Sequence, residues 1–412
     1  MQSDTKSDAQ IARRTAQDDK AVVRTLTRKA YAAATEVAIL AARRRARGTT
    51  ATMPGPLVVV GFFSEPSGIG RAADLTLQAL QSQGLSPVAV NARKLLCGDH
   101  SEVDQCGGGG AMIIHCNPDE GVRILARAPS RFWIGRKRIG YWAWELPRAP
   151  ARWRRAASLF HEVWAPSRFV ADALLAAGVG MKVRVMPHPV TRAGVCPPDR
   201  HRWGFPHEST VVLSMADFRS SATRKNLTAS IEICRRAATP QRPILLMIKA
   251  LQAPRDELES LAQMQSESLD VRFLSEPIGG ADIQSLLASV DVVLSPHRSE
   301  GFGLSLAEAL LAGTPALATG WSGNMQFMAG LADMLIDHQL VPVQDKTGIY
   351  RAGDLCWAEP DIADAAAKLR RLAESAELRF ALAARGAENV RALSRAWARD
   401  QILQTALGQI SG

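Results

Sequence analysis

The chain has 412 residues, enough for two or three domains of ordinary size. Hydrophobic residues make up 47% and charged residues 22%, which excludes wholesale disorder, collagen-like repeats and coiled-coil rods. The six cysteines contain no Cys-x-x-Cys pair, so neither a disulfide scaffold nor a structural zinc site of that type is expected, and free thiols suit a reducing cytoplasm.

The net charge of +10 is unevenly placed. The first fifty residues hold eleven Lys and Arg against five Asp and Glu, so +6 sits there and +4 is left for the other 362. Within that extension Val23, Leu26, Ala30, Ala33, Val37 and Leu40 recur at spacings of three and four, one face of an amphipathic helix. The run Arg43-Arg44-Arg45-Ala46-Arg47 follows. A basic amphipathic helix fits an anionic membrane surface; a solvated tail is the competing reading. No groove-reading motif points to nucleic acid. The longest uncharged run, Ala309 to Ala332, carries Gly313, Pro315, Gly320, Gly323 and Gly330, too many breakers for a lipid-exposed span. No secretory signal is expected at the N-terminus.

Leu57 to Phe63 opens the globular part as a short, continuously apolar segment, the pattern of a buried parallel strand. Ser64 to Gly70 form a Gly-rich turn, and a helical pattern runs from Arg71 to Gln83. Further strands are expected at Pro87–Asn91, Ala111–His115, Arg138–Trp144, Glu162–Ala165 and Val183–Met186. Arg192 to Pro206 reads as a linker. A second series follows at Thr210–Met215, Ile244–Lys249, Val271–Leu274, Val290–Ser295 and Ala316–Thr319, with helices between most of them. Two α/β halves of this kind imply two doubly wound domains facing a cleft. The expected division is 1–53 for the extension, 54–200 and 201–392 for the two domains, and 393–412 for a helix returning to the first.

The strongest motif runs from Ser295 to Glu308, at the C-terminal end of a strand and into a helix. Ligands bind there in open α/β sheets, and a helix start favours an anion. Gly301 and Gly303 let backbone N–H groups approach a ligand. Glu300 in the loop suits sugar hydroxyls; Glu308, read as two turns into the helix, suits a ribose diol.

The pair Glu300 and Glu308, set in Glu-Gly-Phe-Gly-Leu, resembles the signature of the retaining nucleotide-sugar glycosyltransferases of family 4, with the GT-B fold. Similar blocks are Ile139 to Pro147, Val163 to Ser167, Pro187 to Val190, Arg224 to Asn226, Gly320 to Asn324 and Trp357 to Asp361. The resemblance spans Leu57 to Leu407. It implies two Rossmann-like domains, an acceptor held mainly by the first and a nucleoside diphosphate sugar by the second, retention of anomeric configuration, and no metal or other cofactor.

By that resemblance Glu300 meets the donor sugar, Glu308 the ribose and Lys225 the diphosphate. The diphosphate's second cation is Arg219 or Arg224. Two cations beside a diphosphate stabilise the charge that builds on a departing nucleotide. Gly68 and Gly70 match the loop that closes on the diphosphate. Gly301, Phe302, Gly303, Leu304 and Asn324 complete the donor side, and His115 the transferred sugar. His188 and His297 have weaker claims, Trp142, Trp144 and Trp164 read as packing, and Glu145 is an acceptor-side candidate. Gln326 departs from the family by replacing an acidic residue. The function implied is transfer of a hexosyl group to a lipid-linked, polysaccharide or lipopolysaccharide acceptor on the cytoplasmic side. The competing readings are an epimerase or hydrolase of the same donor, and a catalytically silent scaffold.

Overall fold

The computed structural model describes residues 30–46, 54–180, 183–191, 197–345, 347–350 and 353–407. Two six-stranded parallel sheets carry the fold. The first is built from β1 (Leu57–Gly61), β2 (Val88–Asn91), β3 (Ala111–His115), β4 (Lys137–Tyr141), β5 (Glu162–Ala165) and β6 (Val183–Val185), in the order β2-β1-β3-β4-β5-β6. The second comprises β7 (Thr210–Asp217), β8 (Ile244–Leu251), β9 (Leu269–Leu274), β10 (Val292–Ser295), β11 (Ala316–Thr319) and β12 (Leu335–Ile336), in the order β12-β11-β10-β7-β8-β9. Helices cover both faces, so the central strands are buried throughout: every residue of β1, β3, β8 and β11 is buried.

The order reverses between β1 and β3 in the first sheet, and between β7 and β10 in the second. These reversals open crevices at the carboxyl ends of the strands, where α/β sheets hold ligands. The Gly-rich turn leaves β1, and His115 ends β3 in register with Gly61. Asp217 ends β7, and the Pro296–Gly303 loop leaves β10. The switch points of the two sheets therefore face one cleft.

Several elements differ from the sequence pattern. The first long helix begins at Gly68 rather than Arg71, because Ser67 accepts a hydrogen bond from Gly70 N and caps it. β4 stops at Tyr141: the chain then bends so that Trp142 packs over Gly140, where a Cβ would lie 2.4 Å from the indole nitrogen. The antiparallel hairpin β13 (His338–Pro342) and β14 (Cys356–Pro360) was not expected. β13 is largely exposed and lacks an alternating apolar pattern, and no tight-turn signal joins it to β14.

Residues 30–46 form a helix, but the face that anchors it is not the one the spacing selects. Thr35, Ala38, Ile39 and Ala42 are buried against the first domain, while Ala30, Ala33, Val37 and Leu40 are exposed. Arg45 fixes the helix by donating to the carbonyls of Leu125, Ala126 and Ala128, which end the helix Pro118–Arg127. Val23 and Leu26 lie outside the described residues. At the other end of the chain, Trp397, Ile402 and Ala406 join Leu57, Val59, Ile113, Ile139 and Trp164 in one cluster on a face of the first sheet, and Trp397 Nε1 donates to Pro187 O at 2.6 Å. No helix among the described residues is long and apolar enough to cross a membrane.

Candidate active site

The loop after β10 is shaped by backbone crowding. A Cβ on Gly323 would lie 2.1 Å from Gly301 O, so only glycine lets the loop after β11 approach. Gly303 sits at φ +89°, the left-handed region, and starts the helix Leu304–Ala312 without a side-chain cap. Gly301 is pressed against the first domain, where a Cβ would meet Trp144 O at 3.1 Å, and its carbonyl accepts from Ser167 Oγ at 2.6 Å. Both domains thus mould the Gly301–Gly303 turn.

Glu300 is the electrostatic centre. It is 8% exposed, with Lys225 Nζ 2.5 Å and Arg224 Nη1 3.0 Å from its Oε1. Burial alone would raise its pKa, but Lys225 first and Arg224 next outweigh it and hold the carboxyl at about 2. Its backbone is pinned as well: Glu300 N donates to Ser322 Oγ at 2.8 Å and Gly323 N donates to Glu300 O at 2.9 Å.

The two candidate arginines separate. Arg224 is buried and donates to Ser299 O and Ser220 Oγ as well as facing Glu300. Burial works against its charge, but Glu300, Tyr350 and Glu145 more than compensate, and the guanidinium stays charged. Arg219 lies at the cleft surface. Asp217 holds it, with Nη2 2.6 Å from Oδ2, and Nη2 also donates to Pro66 O in the Gly-rich turn of the opposite domain. Of the three candidate cations, Arg219 and Lys225 therefore reach open space, with side chains 44% and 18% exposed, and Arg224 at 4% does not.

Glu308 stands one turn, not two, into its helix and is 7% exposed. Arg71 from the first domain donates to it, Nε to Oε1 at 2.8 Å. Burial raises the Glu308 pKa, and Arg71 opposes that shift. Gly70 packs where a Cβ would meet Glu65 O at 2.6 Å and Phe62 O at 2.7 Å, so it is required by the turn; a Cβ at Gly68 would meet nothing within 4 Å.

His115 is buried, and its Nε2 has no hydrogen-bond partner. Its ring lies 4.1 Å from that of Tyr141, edge on. Tyr141 donates to Met186 O at 2.6 Å and lies 2.9 Å from His188 Nδ1. The His188 ring is in turn 4.9 Å from Phe302. Burial holds His188 at about 3 and His115 well below its usual range, so both are neutral. Phe302 packs against His188 and Phe327 and is buried, so its side chain supports the loop from beneath. Leu304 is half-buried at the helix start. Asn324 is fully buried: its Nδ2 donates to Thr319 O, and its Oδ1 lies 3.2 Å from His297 Nε2. It shapes the loop rather than facing the cleft. His297 is held at about 4, chiefly by burial, and is a framework residue.

Sequence reasoning missed the contacts that join the domains beside Glu300. Tyr350, from the loop between β13 and β14, donates to Glu145 Oε2 at 2.9 Å, and Ser299 Oγ donates to Glu145 O. Trp144 meets Tyr350 edge on at 5.5 Å. No local pattern could have paired residues some two hundred positions apart. Gln326, the departure from the acidic pattern, accepts from Arg168 N at 2.9 Å across the domains. Trp142 and Trp164 are buried packing residues, whereas Trp144 is only half-buried.

This arrangement, with two facing switch-point crevices and an ionised carboxylate bracketed by cations, defines a GT-B fold. The profile of the family described as Family 4 Glycosyltransferase in conflict systems matches residues 164–401, and the chain belongs to that family. The lipopolysaccharide glucosyltransferase WaaG of Escherichia coli K12 is 28% identical over 169 residues, covering 39% of this chain and 43% of that protein. The chain spans less than half the length of the curated relatives it matches. Two solved structures share the fold. Sucrose-phosphate synthase from Thermosynechococcus elongatus superposes with a TM-score of 0.60 at 15% identity, over 84% of this chain and 96% of that one. Anabaena HepE in complex with UDP and glucose gives 0.58 at 15% identity, over 85% and 99%.

Proposed function

We propose that this protein is a retaining hexosyltransferase that moves a sugar from a nucleoside diphosphate donor to a glycan or lipid-linked acceptor without a metal ion. The observation that carries the reading is Glu300, buried and ionised between Lys225 and Arg224 at the switch point of the second sheet. A carboxylate with a pKa of about 2 is a poor general base near neutral pH, so its work is to accept hydrogen bonds from sugar hydroxyls and fix their position. Lys225 and Arg219 meet the diphosphate and stabilise the charge that grows on it as the glycosidic bond breaks. N–H groups of Gly303 and Leu304 at the helix start add to that field. Glu308 accepts from the ribose hydroxyls, and the Nε2 of His115, buried and without a hydrogen-bond partner, is the atom we assign to the transferred sugar.

Support from outside the chain is of two kinds. HepE was crystallised with UDP and glucose, and WaaG is a lipopolysaccharide glucosyltransferase. A hexose-bearing donor and a lipopolysaccharide-like or other polysaccharide precursor are the substrates we assign here, and a cytoplasmic location belongs to the same proposal. The exposed outer stripe Val37 and Leu40, followed by Arg44, favours contact with an anionic membrane face.

The reading is tested by incubating the protein with nucleoside diphosphate hexoses and acceptors extracted from cells, in EDTA, and assigning the anomeric configuration of the product by NMR. The expected result is a glycoside of unchanged configuration, lost in E300A. Nucleotide release that ignores acceptor would instead make the protein a hydrolase, and full turnover by E300A would sink the assignment.

A further inference from the structure

Arg71 was not among the residues the motifs selected, yet it reaches the Glu308 carboxylate from the opposite domain. It is the fourth residue of the helix Gly68–Ser82, directly after the Gly-rich turn. Its Nε lies 2.8 Å from Glu308 Oε1, with the Glu308 side chain 9% exposed and that of Arg71 28%. The same turn is held a second time by Arg219, which donates to Pro66 O. The turn is thus bound to the second domain through two residues of its candidate nucleotide site.

We propose that Arg71 is a positioning residue for the nucleotide: reaching across the cleft, it aims the ribose-binding carboxylate of Glu308, so that the ribose site is complete only when the Gly-rich turn is docked. This rests on the transferase reading above, which assigns Glu308 to the ribose. Oε1 is committed to Arg71, which leaves Oε2 to accept from a hydroxyl of the ribose. A buried carboxylate without a counter-charge is costly and takes up a proton instead. Burial indeed pushes the Glu308 carboxyl upward, and Arg71 is the charged group that opposes this among the described residues. Asp74, one turn on from Arg71 and itself raised by burial, is the next charged group along that helix and interacts with Arg71. Protonated, Glu308 loses acceptor capacity toward the two ribose hydroxyls. Nucleotide binding and docking of the turn are thereby linked through one ion pair.

The test is titration calorimetry of UDP, GDP and ADP into the full chain, from pH 5.5 to 8.5, for wild type, R71Q, R71K and E308Q, with thermal melting to confirm folding. In wild type, affinity falls on the acid side as Glu308 protonates. In R71Q that fall moves to higher pH, because the opposing charge is gone, so binding at pH 6 is about tenfold weaker and recovers as pH rises. R71K restores the wild-type profile, and E308Q binds weakly at every pH. An R71Q profile parallel to wild type, or a pH-independent loss that R71K does not repair, would overturn the role of Arg71 while leaving the transferase reading intact. Failure of wild type to bind any nucleotide, or binding by E308Q equal to wild type, would instead remove the assignment on which the inference stands.

Discussion

The charged side chains at the cleft divide into those that reach its surface and those buried in its framework. Arg224 belongs to the second group: it is buried, tied to Ser299 O, and shares Glu300 with Lys225. Replacing it as R224M leaves a buried carboxylate with one cation and an unsatisfied carbonyl, and is expected to cost about 3–5 kcal/mol in chemical denaturation. An unchanged unfolding midpoint would contradict that role. Acid sensitivity follows from the same region. His297 is held at about 4 and His188 at about 3, both by burial, against about 6.5 in the unfolded chain. Between those values the unfolded state binds protons that the folded state refuses. The stability is fully present above about 6.5 and falls by about 1.4 kcal/mol per pH unit for each histidine as pH drops toward 4. Glu300 adds a loss at lower pH, from its usual range down to about 2. The melting temperature should drop clearly between pH 7.5 and 5.5; a flat profile would show that these rings protonate freely in the folded protein. That Glu300, Glu308 and Lys225 would meet at the interdomain cleft was legible from motif and resemblance. Which of Arg219 and Arg224 stays exposed was not, because burial of a cation depends on partners distant in sequence.

At the scale of elements, the strands were the most readable features, since short β-branched runs declare a parallel core. Ala111–His115, Glu162–Ala165 and Ala316–Thr319 were read with their observed ends, and the other expected strands shifted by one to three residues. The hairpin β13–β14 was missed because its first strand, His338–Pro342, is largely exposed, shows no apolar alternation and ends in proline. The N-terminal helix was found, but its docked face was misjudged: one buried isoleucine, two alanines and an arginine reaching three carbonyls outweigh the wider apolar stripe. The Gly323 approach yields a sharp expectation. In G323A the added methyl would stand 2.1 Å from Gly301 O, a backbone atom that cannot yield cheaply, so the loop after β10 must move. The variant should lose most activity and about 3 kcal/mol of stability, whereas G279A, with nothing within 4 Å of the new methyl, should stay within about 0.5 kcal/mol of wild type. Equal behaviour of the two variants in melting and turnover assays would show that the close approach does not matter.

For the whole molecule, two switch points that face each other make one site from two sheets, and specific polar contacts join them beside aromatic ones such as Trp144 with Tyr350. Arg71 with Glu308, Arg219 with Pro66, Ser167 with Gly301 and Tyr350 with Glu145 all cross the cleft. The motif blocks told which segments would meet there; the pairings required the fold. The central claim is that this cleft holds a nucleoside diphosphate sugar through Lys225, Glu300 and Glu308. The measurement that tests it most directly is the equilibrium binding of UDP-, GDP- and ADP-hexoses to wild type, K225A and E308A in EDTA. The account predicts that one nucleotide class binds wild type and that each substitution weakens it at least about tenfold. No binding of any donor, or equal affinity in all three proteins, would contradict it.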